Sequence, residues 1–245
     1  MTHYILLTGG HTGLGLGVTK KLLKQGNKIG LIIRNEARKQ QTISEIDASS
    51  RELVDNIDFF YADLSNQAQV HAVAQEITAT WPRIDRLFNN AAVLDSNRRT
   101  SEQGNEWHLE VNVLAPILLT RGLQPLLENS ADAKVITTVT GGMGGRKLRT
   151  DQILNENFKR GMTLYMQSKQ AVLHLMNDLA DSMPAVKFLF VDPGPNKTNM
   201  TQQGGTPAII RKLLSRFFSE PAVGSQRIYD AGFAARFSAE NRVYI

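Results

Sequence analysis

Seven short β-branched or apolar runs punctuate this chain, and helical patterns fall between them. The runs are Tyr4–Leu7, Lys28–Arg34, Ile57–Ala62, Arg86–Phe88, Val135–Thr138, Lys187–Val191 and Arg242–Ile245. Helical periodicity marks Leu14–Gln25, Gln67–Thr80, Glu106–Glu128 and Met162–Ser182. Strands that alternate with helices pair in parallel, because each parallel neighbour must be reached by a crossover. Ile29–Ile33 and Phe188–Val191 are apolar throughout rather than alternating, as strands covered on both faces should be. No repeat, low-complexity tract or linker divides the sequence. The pattern predicts one doubly wound α/β domain over residues 1–245, a seven-stranded parallel sheet flanked by helices on both faces.

Composition narrows the chemistry. The 245 residues contain no cysteine, which removes disulfide scaffolds, thiolate zinc sites, iron–sulfur clusters and cysteine nucleophiles. No apolar run approaches the roughly 18 residues of a membrane span. The stretch Met1 to Gly17 does not read as a secretory leader, since Ile5 to Leu7 is too short an apolar core and glycines follow at once. A soluble, cytoplasmic protein is expected, with no stable membrane insertion. The net charge of +5 is carried by scattered residues, with no aromatic interleaving, so nucleic acid is not expected as the partner. A solvated surface and an anionic cofactor account for the balance.

The first strand runs directly into Thr8-Gly9-Gly10-His11-Thr12-Gly13-Leu14-Gly15, and a helix follows. Glycines let the backbone turn sharply and approach a pyrophosphate, while a helix amino end offers free N–H groups and a positive dipole. The spacing of Gly9, Gly13 and Gly15 is not G-x-G-x-x-G, and a tight turn is the plain alternative. Arg34 closes the second strand where an NAD protein would carry a ribose-binding carboxylate. An acidic side chain there repels a 2′-phosphate, and arginine attracts it. NADP(H) is therefore expected over NAD(H), with Arg38 one helical turn further on as a second contact. Asp63, with Leu64 beside it, ends the third strand; it either bonds the adenine amino group or caps the next helix.

Tyr165-Met166-Gln167-Ser168-Lys169 sits within a predicted helix, and a separation of four puts tyrosine and lysine on one face. Free tyrosine, with a pKa of roughly 10, is a poor proton carrier at neutrality, and a neighbouring ammonium would lower that value. Alone, the pair is also compatible with an ordinary surface contact. The order of motifs says more: the Thr-Gly-Gly loop, Asn89-Asn90-Ala91-Ala92, Asn112, a hydroxyl residue after the fifth strand, Tyr165 with Lys169, and Pro193-Gly194. The chain resembles the short-chain dehydrogenase/reductase family over nearly its whole length, which implies a Rossmann-type sheet and direct hydride transfer between nicotinamide and a carbonyl or alcohol. The resemblance implies that Tyr165 is the general acid/base, that Lys169 lowers its pKa and holds the nicotinamide ribose, and that Asn112 anchors a relay water. It also implies that Asn89, Asn90 and Ala91 support the sheet centre and the adenosine side, and that Pro193, Gly194 and Thr198 form the nicotinamide-side turn.

Two positions depart from that pattern. The substrate-orienting serine falls on Thr140, with Thr138 a rival on the same strand, and Ala92 stands where glycine is usual. Threonine keeps the hydroxyl, but its methyl group restricts χ1. Thr140 and Tyr165 are 25 positions apart, and Gly141–Leu164 reads as an enlarged loop, similar to the retinol-dehydrogenase-like branch. Substrate loops are expected at about 141–164 and 195–220. Within the second, Thr206–Phe218 carries an apolar stripe with Arg211, Lys212 and Arg216 opposite, which reads as a lid, a packed helix or a membrane-surface helix. An apolar lid favours a fairly hydrophobic small-molecule carbonyl or alcohol. His11, His71 and His108 lack carboxylate partners at ligand spacing, so no metal site is expected. Pairing through Glu106–Glu128 and Met162–Ser182 would make a homo-oligomer. The rival function is an NADP(H)-binding sensor or scaffold with little turnover.

Overall fold

The computed structural model describes residues 2–46, 53–140, 148–158, 160–194, 196, 219–234 and 243–244. Seven strands form one sheet: β1 (Tyr4–Thr8), β2 (Lys28–Ile33), β3 (Ile57–Tyr61), β4 (Arg86–Asn89), β5 (Lys134–Thr138), β6 (Lys187–Val191) and β7 (Val243–Tyr244). Their order is β3-β2-β1-β4-β5-β6-β7, and each neighbouring pair is parallel. The chain winds outward from β1 through β2 to β3, then returns to start β4 on the other side of β1. That reversal opens a crevice at the carboxyl ends of β1 and β4, where doubly wound sheets bind their ligands. Register places Thr8 beside Asn89 and Asn89 beside Thr137 along that edge.

Two apolar layers explain why the strands read as continuous hydrophobic runs. On one face α3 (Gln67–Thr80), α5 (Ala115–Gly122) and α8 (Gly161–Asp181) bury Val73, Ile77, Leu119 and Met176 against Leu6, Leu87 and Phe188. On the other, α1 (Gly13–Leu23) and α9 (Pro221–Phe233) cover Ile5, Leu7, Phe88 and Ile136 with Val18, Leu22 and Ile228. The polar α2 (Glu36–Glu45) follows β2, started by the Asn35 side chain, which accepts from the Arg38 amide.

The fourth helix departs from the continuous Glu106–Glu128 expected. It begins as α4 (Trp107–Leu109), widens into a π turn (Glu110–Leu114) and resumes as α5; a break at Leu123 precedes α6 (Gln124–Glu128). Pro116 and Pro125 sit at the starts of α5 and α6. Proline has no N–H to donate and fits only the first turn of a helix, so each marks a fresh start. The expected loop at 141–164 also contains structure, namely α7 (Thr150–Leu154) and the first turn of α8.

Candidate active site

The glycine loop is built as a cradle. Gly9 and Gly13 have φ of 66° and 54°. A Cβ on Gly13 would meet nothing within 4 Å, whereas one on Gly15 would lie 2.1 Å from the Gly9 carbonyl oxygen. The loop is thus closed against itself on one side and open on the other. Thr12, at the N-cap of α1, makes no side-chain capping bond, and the first turn holds no acidic residue. Its amides and dipole are left to an outside anion. Leu14 is partly buried, and its carbonyl accepts from the Ser225 hydroxyl at 2.9 Å.

Thr8 ties this loop to the turn after β4. Its hydroxyl donates to the Phe88 carbonyl and accepts from the amides of Asn90 and Ala91, each at 3.1 Å. The Asn90 amide group in turn reaches the Gly9 carbonyl at 3.3 Å. Asn89 is buried deeper and donates to the Thr120 hydroxyl.

Just after β2, Arg34 pairs with Asp63 at 3.3 Å, and its side chain is 60% exposed. Asp63 does not cap the next helix: Asn66 accepts from the Gln69 amide and does so instead. Burial acts to raise the Asp63 pKa, but hydrogen bonds from the Ser65 amide and hydroxyl and the charge of Arg34 hold it below its ordinary value. Leu64 packs its side chain on the core. His11 is the residue sequence reasoning passed over. Burial, then the charges of Arg38 and Arg34, hold its imidazole below the ordinary value, and its buried Nδ1 has no hydrogen-bond partner.

Tyr165 and Lys169 stand one turn apart on α8, both buried. Thr140 stands close enough to the Tyr165 phenol to oppose the rise of its pKa, while Thr138 turns its own hydroxyl to Asn90 and its carbonyl to the Lys169 ammonium, at 2.9 Å. Of the two threonines, the structure brings Thr140 to the tyrosine. The expected lowering of the phenol is not found. Burial holds the Tyr165 pKa above its ordinary value, the Thr140 hydroxyl opposes this, and the Asp192 carboxylate adds to the rise. Lys169 is itself desolvated, its pKa lowered to about 8. The physical reason is shared: neither charged form is well solvated in this part of the sheet edge.

Asn112 lies in the π turn with its amide committed to protein. It accepts from the Val93 amide at 2.8 Å and donates to the Val93 carbonyl and the Ser168 hydroxyl, each at 3.0 Å. Ser168 donates onward to the Tyr165 carbonyl. Gly194 (φ 76°) follows Pro193, and its amide donates to Asp192. Thr198, residues 141–147 and the whole of 206–218 lie outside the described residues.

The family model for short chain dehydrogenase matches residues 3–207. The chain belongs to that family. Among curated relatives, human dehydrogenase/reductase SDR family member 12 is 31% identical over 190 residues, covering 77% of this chain and 59% of that protein. Human retinol dehydrogenase 14 is 26% identical, covering 91% and 71%, and human polyprenol dehydrogenase is 28% identical, covering 80% and 61%. The chain therefore spans less than two thirds of some of its relatives. Retinol dehydrogenases are thus among the proteins the chain is similar to. A short chain dehydrogenase from Escherichia coli CFT073, complexed with NADPH, shares the fold with a TM-score of 0.76 at 22% identity, covering 99% of this chain and 95% of that one. The Pseudomonas aeruginosa RhlG/NADP complex shares it at 0.75 and 22%, covering 99% and 93%.

Among the described residues, no helix is long and apolar enough to cross a membrane, and no group of three or more His, Asp or Glu stands together as a metal site. The expectation that His108 lacks a carboxylate partner is corrected: its Nδ1 is 2.7 Å from Glu106, and both side chains are buried. Glu106 stands at the helix amino end, where its other oxygen accepts from the Leu109 amide.

Proposed function

We propose that this short-chain dehydrogenase is an NADP(H)-dependent oxidoreductase that reduces a carbonyl, or oxidises the matching alcohol. The observation that carries the reading is the buried Tyr165 and Lys169 one turn apart, with Lys169 tied through Thr138 and Asn90 to the glycine cradle. Gly9, Gly13 and Gly15 would hold the pyrophosphate, with Asn90 and Ala91 bordering the adenosine. Arg34, Arg38 and His11 would hold the 2′-phosphate, with Asp63 and Leu64 beside the adenine. Pro193, Gly194 and Lys169 would border the nicotinamide riboside. NADPH, when bound, supplies the hydride.

The chain supplies the proton and the orientation. Tyr165 is protonated at neutral pH, the form that can donate to a carbonyl oxygen. Its raised pKa opposes the transfer, so the donation needs a neighbouring positive charge to stabilise the phenolate as it forms. Thr140 donates a second hydrogen bond to the same oxygen and sets its direction. Lys169, one turn from Tyr165 with its pKa lowered to about 8 by burial, would supply that charge and hold the nicotinamide ribose. Asn112 keeps Ser168 and the Val93 backbone in place behind them, with a lone pair of Oδ1 left for a relay water.

The test is turnover of NADPH and NADH with ketones, aldehydes and long-chain apolar aldehydes, in the parent protein and in Tyr165→Phe. The expected result is loss of turnover by about 100-fold or more, with NADPH binding retained. An unaffected Tyr165→Phe variant would overturn the assignment. Tight NADPH binding with no turnover on any carbonyl would favour a sensor or scaffold.

A further inference from the structure

Between β4 and α4 the backbone is irregular, yet it runs along the amino end of α8, immediately before Tyr165. The stretch is half-buried at Val93 and Asp95 and has no ladder, so side chains take up its amides. Asn112 satisfies Val93 on both its amide and its carbonyl. Asp95 donates its amide to His108 Nε2 at 3.0 Å. Ser96 offers its carbonyl to the Gly161 amide at 3.1 Å, which starts α8. The approach there is so close that a Cβ on Gly161 would lie 2.0 Å from the Asp95 carbonyl oxygen.

The chemistry of these partners fixes the state of His108. A backbone amide only donates, so Nε2 must be the acceptor and the ring proton must sit on Nδ1. There it faces Glu106, at 2.7 Å. The Glu106 carboxylate is itself held ionised: burial opposes this, but the His108 contact and the Leu109 amide outweigh it. The imidazole is fully buried and meets the Tyr165 ring edge-on, with centroids 6.4 Å apart. An apolar pair would fill this volume without the cost of burying a carboxylate. What only the Glu106–His108 pair provides is an acceptor of fixed direction for the Asp95 amide.

We propose that His108 is a positioning residue for Tyr165. Locked in one tautomer by Glu106, it fixes the Asp95 amide and, through Asp95 and Ser96, the start of the helix that carries the tyrosine. This rests on Tyr165 being the acid/base, and two substitutions separate the two halves of the contact. His108→Asn keeps a donor for Glu106 but cannot reach Asp95. His108→Gln puts an acceptor at the Nε2 position and gives up the Glu106 bond. A misplacement of about 1 Å costs about 100-fold in rate. His108→Asn should therefore lose about that much in kcat with NADPH binding unchanged, and His108→Gln should recover most of it. Hydrogen exchange at the Asp95 amide should be faster in the Asn variant than in the Gln variant or the parent.

Equal kcat in the two variants, or unchanged Asp95 protection in the Asn variant, would overturn the proposal. Imidazole nitrogen NMR of the unsubstituted protein needs no variant to fold. It should show His108 Nε2 unprotonated, and a protonated Nε2 would sink the idea. If Tyr165→Phe stays active, the catalytic assignment has failed, and Asp95 exchange still reports the His108 contact separately. If Asp95 exchange responds and kcat does not, positioning fails while the catalytic assignment stands.

Discussion

Replacing Lys169 by methionine should make the protein's stability respond differently to pH, in a direction set by the burial of one ammonium. Lys169 is 4% exposed, donates to the Thr138 carbonyl at 2.9 Å, and has its pKa lowered from 10.5 to about 8 by burial alone. The gap between those two values, at 1.36 kcal/mol per pH unit, corresponds to about 3 kcal/mol by which the folded state disfavours the charged lysine. The unfolded chain holds this proton up to about 10.5 and the folded one only to about 8. Raising the pH through that window therefore favours the folded state, and the penalty is present in full below pH 8. Methionine fills similar volume without charge, but leaves the Thr138 carbonyl short of a donor, at about 1–3 kcal/mol.

These opposing terms leave the variant close to the parent in stability at pH 7, but only the first depends on pH. Urea unfolding of both proteins at pH 7, 8.5, 10 and 10.5 isolates it, because every other titrating group cancels in the difference. The parent should gain about 3 kcal/mol on the variant between pH 7 and 10.5. A difference that stays flat over that range would refute the reasoning. Turnover should fall by about 100-fold or more in the same variant.

Two further outcomes follow from the cofactor side. Arg34→Glu should weaken NADPH binding by about 3 kcal/mol, from a lost charge-assisted bond and a new repulsion, and leave NADH little changed; equal effects on both in a fluorescence titration would remove Arg34 from the 2′-phosphate site. Gly15→Ala forces a methyl group to 2.1 Å from the Gly9 carbonyl and should cost about 3 kcal/mol in thermal or urea unfolding, with loss of both cofactors; a fully stable, cofactor-binding variant would show that the loop is not the closed cradle described.

The strands were legible because both faces of the sheet are covered, so their sequences lost the alternation that would blur them. Tyr165 and Lys169 were legible because a helix fixes what four residues apart means. The broken fourth helix was misread although Pro116 and Pro125 announced it, since the apolar periodicity runs straight through both. α9 carries little hydrophobic signal: its buried face is largely Gly224, Ser225, Ala231 and Gly232, with Ile228 among them. The Glu106–His108 contact with Asp95 had no signature, because its meaning lies in a backbone amide 13 residues away. The direction of the Tyr165 pKa was misjudged for a related reason. A spacing shows which groups are neighbours, but not how much water has been taken from them.

The Thr8 hydroxyl serves one loop by donating to the carbonyl of Phe88 and accepting the amides of Asn90 and Ala91, residues 80 or more positions further along the chain. The glycine loop and the Asn-Asn-Ala turn are consequently one object, joined chiefly at the Thr8 hydroxyl and again by the Asn90 amide on the Gly9 carbonyl. Grafting a foreign nucleotide loop onto this scaffold would sever that junction unless the second turn travelled with it. Laboratory evolution toward another cofactor has to move along paired changes at these two distant stretches, or keep a hydroxyl at position 8 throughout.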